Sequence, residues 1–449
     1  MTTPRRPTIS TRPLHLLSRR RFLAAAGGFA ALGLTGCSAA RLDDTTEGSA
    51  PTSGAPTSRT PAGTISATTI PAGDDVAGLP AGRVLVVVNF DGGNDAINTL
   101  VPDSGRYRDL RPTLALDPET LVEHPSLPGH ALHPSLAPLH RHLDAGHVGV
   151  VAGVGFADPD RSHFVSTDRW DRADRMDEQL GWLGRWLDTL ELEVPPLGAT
   201  AIGSDGRSLL GAKRPGTAVG AVDAFAFPAG IHHADIRRLA GGDHTASGSH
   251  AHDALTAAAR SAFHTSVGAV EDFDAVVDAV RTDDRPGLGG RSGPFANGLA
   301  LAAELIRTNL ETRVVTINVN GFDTHSAQLG PHATLLEDLA TGLDAFWATL
   351  EESAHADRVL LITTSEFGRR AAENGSLGSD HGSAGLSLMM GRAVAGGLHG
   401  LIDVEQLVDG DLAPLIDPRC LFTAGLDWVG GDVERVLGRR WDDVALLTT

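Results

Sequence analysis

Cysteine is nearly missing from this chain: Cys37 and Cys420 are the two in 449 residues. Cys37 lies in a modification motif described below, so Cys420 has no partner. An internal disulfide is thereby excluded, and stability outside the cytoplasm must come from the core or from metal. Positive charge is scarce too, with 37 basic against 56 acidic residues and a formal net charge of −19. Six arginines belong to a removable leader; without them 31 basic residues remain, about 25 net negative charges. A surface so acidic excludes nucleic acid as a partner. Also missing are a glycine-rich Lys-Ser/Thr phosphate loop, His-Glu-x-x-His, paired Cys-x-x-Cys and a Gly-x-Ser-x-Gly elbow. Gly153-Val154-Gly155 is only a fragment of a dinucleotide fingerprint, so NAD is rejected. No internal repeat is evident.

What is present begins at the N-terminus. Arg5, Arg6 and Arg12 precede Ser18-Arg19-Arg20-Arg21-Phe22-Leu23, a paired-arginine signal read by an export machine that moves folded proteins. The apolar run from Phe22 to Thr35 is short of the roughly 20 residues that span a hydrocarbon core, so it reads as a signal segment to be removed. Leu34-Thr35-Gly36-Cys37 then forms a lipobox, which makes Cys37 the lipidated first residue of the mature protein. Folding before export would allow a metal to be loaded in the cytoplasm. Residues 37 to 80 are Ser, Thr, Pro, Ala and Gly with few apolar side chains, a composition that cannot offset chain entropy and acts as a tether. The expected organisation is therefore a leader over 1–36, a tether over 37–80 and a folded body over 81–449. The expected location is the outer face of the cytoplasmic membrane, with the lipid on Cys37 and the twin-arginine machinery as partners.

The body alternates β-branched runs with amphipathic stretches, the pattern of a layered α/β fold. Nearly unbroken apolar runs predict doubly buried, mostly parallel strands at Val84 to Phe90, Val148 to Val154, Arg313 to Val319 and Arg358 to Thr364. Helices are predicted from Pro134 to Ala145, Gly181 to Leu190, Asp253 to Val280, Pro294 to Asn309 and Ala333 to Ser353. The segment holding His232, His233, His244, His250, His252 and His264 reads as a solvated loop rather than a metal scavenger.

Polar clusters follow the predicted strands, where ligands of open α/β sheets collect. Asp91-Gly92-Gly93-Asn94-Asp95 brings two carboxylates to one tight turn, or else caps a helix. Asp323-Thr324-His325 offers a hard oxygen and an imidazole to one cation. Thr364-Ser365-Glu366-Phe367-Gly368-Arg369-Arg370 offers Glu366 as ligand or base and Arg369 as an oxyanion clamp. Ser379-Asp380-His381-Gly382-Ser383 places an adjacent Asp-His pair in a loop. In Asp160-Arg161-Ser162-His163-Phe164, Ser162 is either a nucleophile activated by a metal or by His163, with Arg161 holding a tetrahedral anion, or a helix cap, and His163 is a base or a ligand. So many carboxylates and imidazoles at strand ends require one or two divalent cations, Zn, Mn or Ca.

These motifs resemble domain of unknown function family 1501. The resemblance runs through Phe90-Asp91-Gly92-Gly93-Asn94-Asp95, Asn98-Thr99-Leu100-Val101-Pro102, Arg161-Ser162-His163-Phe164, Gly181-Trp182-Leu183-Gly184-Arg185, Phe322-Asp323-Thr324-His325, Ser365-Glu366-Phe367-Gly368-Arg369 and Ser379-Asp380-His381-Gly382. It implies an alkaline phosphatase-like, three-layer α/β/α sandwich with a mostly parallel sheet and a metal-dependent hydrolase site. By position, Asp91 resembles the first-strand metal aspartate, Ser162 the nucleophile, Asp323 and His325 the later ligand segment and His381 the last ligand. Glu366-Phe367 stands where that superfamily commonly has Asp-His, and Asp323 and His325 lie closer together than its usual spacing. The expected metal set is Asp91, Asp95, Asp323, His325, Glu366, Asp380 and His381. The expected reaction is hydrolysis of a phosphate or sulfate ester of a small molecule or glycan. The alternative is a non-catalytic envelope-binding or assembly protein that keeps the fold.

Overall fold

The run Val84–Asp91 forms strand β1, and its side chains alternate between two cores: Val84, Val86 and Val88 enter one, Leu85 and Val87 the other. A strand buried on both faces needs no polar face, which is why its sequence is nearly unbroken in valine and leucine. Each such side chain contributes roughly 1.5–3 kcal/mol by leaving water. The structure, a computed structural model, describes residues 82–191, 194–214, 216–220, 268–281, 293–308 and 311–448. All of them lie within the compact unit Ile70–Thr449. The leader, the tether and the histidine-rich segment lie outside the described residues.

The strands after β1 are β2 (Leu100–Pro102), β3 (Val122–Glu123), β4 (His130–Leu132), β5 (Val148–Val154), β6 (Ala199–Ile202), β7 (Thr217–Val219), β8 (Val314–Asn320), β9 (Val359–Ser365), β10 (Gly385–Met390), β11 (Gly397–His399) and the short pair β12 (Leu407–Val408) and β13 (Asp411–Leu412). Eight of these make one sheet in the order β11-β5-β10-β9-β1-β8-β6-β7. Its pairings are parallel except those of β10, which runs antiparallel to β5 and β9. Strands β2, β4 and β3 form a small antiparallel sheet beside it.

The helices are α1 (Ala96–Thr99), α2 (Gly105–Leu110), α3 (His140–Asp144), α4 (His163–Arg172), α5 (Trp182–Leu187), α6 (268–281), α7 (Pro294–Thr308), α8 (Leu329–Glu352), α9 (Pro418–Trp428) and α10 (Val433–Leu437). Phe295 and Leu299 of α7 and Leu336, Leu343 and Trp347 of α8 cover one face of the sheet. Trp182 and Trp186 of α5, Leu421 and Phe422 of α9 and Val436 of α10 cover the other. The expected three-layer α/β/α sandwich with a mainly parallel sheet is what is seen.

The four predicted strands are present within a residue at each end, and α8 starts at Leu329, four residues before the predicted Ala333. Pro134–Leu139 is a 3-10 turn rather than α-helix, since the ring of Pro138 would clash with the carbonyl four residues back in an α-turn; α proper begins at His140. Of the predicted 253–280 helix only residues 268–280 are described, and they are helical, the helix running on to residue 281.

This topology positions the site. Because β1, β8 and β9 are parallel neighbours, Asp91, the segment after Asn320 and Glu366 leave the sheet at one edge. Antiparallel β10 starts at that edge with Gly385 paired to Val154, the end of β5. The loops carrying His381 and His163 therefore arrive there too.

Candidate metal centre

The closeness of the loops at this edge depends on two glycines. Gly92 has φ +120°, and a Cβ there would lie 2.2 Å from the Asp323 nitrogen; Gly93 has φ +82°, with the Phe367 ring where its Cβ would project. The turn after β1 thus sits directly against Phe322-Asp323, and Phe322 N–H donates to the Asp91 carbonyl at 3.2 Å.

Asp323 is the hub. Its Oδ1 lies 3.0 Å from His325 Nε2, 3.0 Å from His381 Nε2 and 2.8 Å from Arg369 Nη2. Its Oδ2 lies 3.6 Å from His163 Nε2. The two nitrogens His325 Nε2 and His381 Nε2 are themselves 3.0 Å apart. Burial alone would raise the Asp323 carboxyl, but hydrogen bonds from His381 and Arg369 and the Arg369 charge outweigh it and hold it at about 2.

The outer nitrogens of the three rings decide what the inner ones can do. His381 Nδ1 lies 2.8 Å from the Arg161 carbonyl, His325 Nδ1 3.2 Å from an Asp380 oxygen and His163 Nδ1 2.8 Å from Glu366 Oε1. Carbonyls and carboxylates accept only, so each Nδ1 carries a hydrogen and each ring turns its Nε2 toward Asp323. Imidazole nitrogens and a carboxylate packed this closely around Asp323 repel unless a cation or added protons lie between them. Acceptor-anchored rings presenting Nε2 are the outer shell typical of histidine ligands to metals, and the N/O donor set suits a borderline cation such as zinc. Among the described residues, His163, Asp323 and His381 form one of two groups whose donor atoms converge closely enough to share an ion. The residues present fit a cation.

The other expected site residues are placed differently. Glu366 serves as an anchor, accepting from His163 and from Gly92 N–H at 2.8 Å. Asp380 likewise braces His325 and takes a 2.9 Å bond from Asn374. Asp95 is not a ligand: it is fully buried, caps α1 and pairs with Arg111 at 2.5 Å. Arg369 is not a clamp for substrate, since its buried guanidinium is consumed by the carbonyls of Gly92, Gly93, Phe322 and Ser379 and by Asp323. The Arg161 side chain turns to Asp411, and only its carbonyl reaches the centre. Ser162 is the residue before α4; its side chain makes no capping bond, and its N–H donates to Asp160. His163, one residue on, is what joins the cluster.

Asp91 stands beside the hub, both oxygens taking weak bonds from Asn318 Nδ2 at 3.3 and 3.4 Å. Burial and the Glu366 charge push its carboxyl up to about 6. It shares a small pocket with Asp171 of α4, pushed up to about 7 by burial and by Asp205. Sequence reasoning missed Asp171, which belongs to no motif and reaches this edge only because α4 packs there.

Residues 165–439 match the family described as protein of unknown function, DUF1501. The chain belongs to that family. The DUF1501 match includes Asp323, His325, Glu366 and His381 and starts two residues after His163, a narrower reach than the motifs from residue 80 onward suggest. No curated protein matches this DUF1501 chain. Among solved structures it is similar to a phosphonate monoester hydrolase from Silicibacter pomeroyi at 11% identity, with 81% of this chain and 78% of that one covered and a TM-score of 0.32. It is also similar to a protein in the alkaline phosphatase superfamily from Vibrio parahaemolyticus, at 8%, 83%, 75% and 0.34 respectively. A third is the lipoteichoic acid synthase of Listeria monocytogenes, at 10%, 82%, 75% and 0.27. At such TM-scores nothing about chemistry follows from these likenesses.

Proposed function

We propose that this DUF1501 protein is a metal-dependent hydrolase of phosphate or sulfate esters with an alkaline phosphatase-like fold. The observation that carries the reading is the convergence of three anchored imidazoles and one ionised carboxylate at the carboxyl edge of a parallel sheet. In this reading His163, Asp323, His325 and His381 hold the cation. When bound, the cation supplies Lewis acidity and neutralises charge on the transferring group. The chain's own part is positional: Glu366, Asp380 and the Arg161 carbonyl fix the rings, and Arg369 fixes Asp323 while tying three loops together.

We further propose export by the twin-arginine route, removal of residues 1–36 and lipid anchoring through Cys37. The motifs at the N-terminus support this, and the acidic, disulfide-free body is compatible with folding before export. Among the described residues no helix is long and apolar enough to cross a membrane.

A second reading, a non-catalytic envelope-binding or assembly protein, is favoured by Phe367. Its ring lies 5.0 Å from that of His163 and 4.5 Å from that of His381, so an apolar side chain stands on the loop where the superfamily commonly has a second ligand. Purified mature protein loaded with Zn, Mn or Ca and offered aryl phosphate and aryl sulfate separates the two. Turnover that disappears together with bound metal in Asp323→Ala and His381→Ala supports the hydrolase. Stoichiometric metal without turnover on either ester supports the binding protein, and no bound metal ends both metal assignments.

A further inference from the structure

A second group of donors lies elsewhere in the fold, built from residues that none of the motifs contains. His124 follows β3, and His140 and Asp144 sit one helical turn apart on α3. His124 Nε2 is 3.2 Å from Asp144 Oδ1, and His140 Nδ1 is 3.1 Å from Asp144 Oδ2. The two rings meet edge to face with centroids 5.1 Å apart. One donor atom from each of the three residues lies within 4.8 Å of the other two.

The i, i+4 spacing places His140 and Asp144 on one face of the helix, and the chain entering from the small sheet brings the third donor onto that face. His124 is well held: its side chain is 8% exposed, and Nδ1 lies 2.7 Å from Ser126 Oγ. Nδ1 also accepts the Ser126 backbone N–H at 3.2 Å, so the ring is fixed from that side while Nε2 faces Asp144. His140 and Asp144 are half exposed or more, at 48% and 62%, which leaves coordination positions open to water. Two imidazoles and one carboxylate are too nitrogen-rich for calcium or magnesium and suit a borderline transition-metal ion.

We propose that His124, His140 and Asp144 form a divalent transition-metal site, of the zinc or cobalt class, that cross-links the small β2-β4-β3 sheet to helix α3. It shares no residue with the centre around Asp323 and does not depend on the hydrolase reading. His124 also lines a cavity of about 590 Å³ together with Pro102, Tyr107, Leu127 and His130, so the cross-link fixes one wall of that cavity.

The test uses the full mature chain, stripped with a chelator and titrated with Zn²⁺ or Co²⁺ at micromolar concentration. Wild type is compared with His140→Gln, Asp144→Asn and, at the other centre, Asp323→Asn. Difference measurement removes any constant background, including that of the histidines between 231 and 264. The expected result is that His140→Gln and Asp144→Asn each bind one equivalent fewer than wild type by equilibrium dialysis. Both should also lose part of the Co²⁺ d–d absorption and part of the zinc-induced rise in melting temperature. Asp323→Asn should keep the share of each signal that His140→Gln and Asp144→Asn lose, whatever it loses at its own centre. Unchanged stoichiometry, spectrum and zinc-induced stabilisation in both His140→Gln and Asp144→Asn overturns the site. Because these two side chains are exposed, the unloaded variants should melt with wild type, which separates loss of a ligand from loss of the fold.

Discussion

His325 Nε2 and His381 Nε2 face each other across 3.0 Å, and each is also 3.0 Å from the same Asp323 oxygen. The outer nitrogens of both rings are committed to Asp380 and the Arg161 carbonyl, so a cation or added protons must fill that gap, and the surrounding residues hold it closed.

The anchors should matter nearly as much as the ligands. Glu366→Gln and Asp380→Asn keep size but weaken the grip on His163 and His325, so zinc affinity should fall roughly 10–100-fold with melting of the unloaded protein little changed. Competition titration against a chromophoric chelator reads the shift. Affinity equal to wild type in both variants would show that these carboxylates do not orient ligands.

Gly92→Ala should be more damaging than its one methyl suggests. The residue has φ +120°, and the added carbon would lie 2.2 Å from the Asp323 nitrogen, so the Asp323 loop must move. A stability loss of about 1–3 kcal/mol is expected from the backbone conformation alone. Bound metal should be lost as well, measured by elemental analysis of the purified variant.

Asp95 and Arg111 form a fully buried ion pair, and despite the cost of burial the Arg111 charge holds the Asp95 carboxyl below its ordinary range. Asp95→Ala leaves a guanidinium stranded among the carbonyls of Ala371 and Arg370, and should cost about 3–5 kcal/mol in urea unfolding. Arg111→Met should cost a similar amount, and the double variant less than the sum of the two.

Acid should weaken the fold through two histidines beneath the centre. Burial holds His133 and His332 at about 4, below their ordinary 6.5, so between those values the unfolded chain binds protons that the native one refuses. Stability therefore falls as pH drops from 6.5 to about 4, by on the order of 3 kcal/mol for fully buried His332. Asp91 and Asp171, raised to about 6 and about 7, act in the opposite direction, so the informative quantity is the difference between wild type and His332→Gln. That difference in unfolding midpoint should shift in favour of the variant as pH falls; parallel profiles would remove His332 from the account.

Sequence alone determined the layered α/β architecture and the edge at which chemistry gathers. Unbroken apolar runs such as Val84–Val88 can only be doubly buried strands, and polar clusters directly after them must emerge at strand ends. Asp323, His325 and His381 were legible for that reason. Short β10, with the sequence GLSLMM and no β-branched residue, carried no strand pattern. Only the tertiary structure decided which polar side chains turn into the site. Asp95 turns inward to a buried Arg111, Arg369 spends its donors on four loop carbonyls, Glu366 and Asp380 stand behind histidines, and Asp171 arrives on a packed helix. The reason is physical: strand formation follows from local periodicity and burial, whereas a loop side chain's direction is set by partners roughly 16 to 280 residues away that local pattern does not encode.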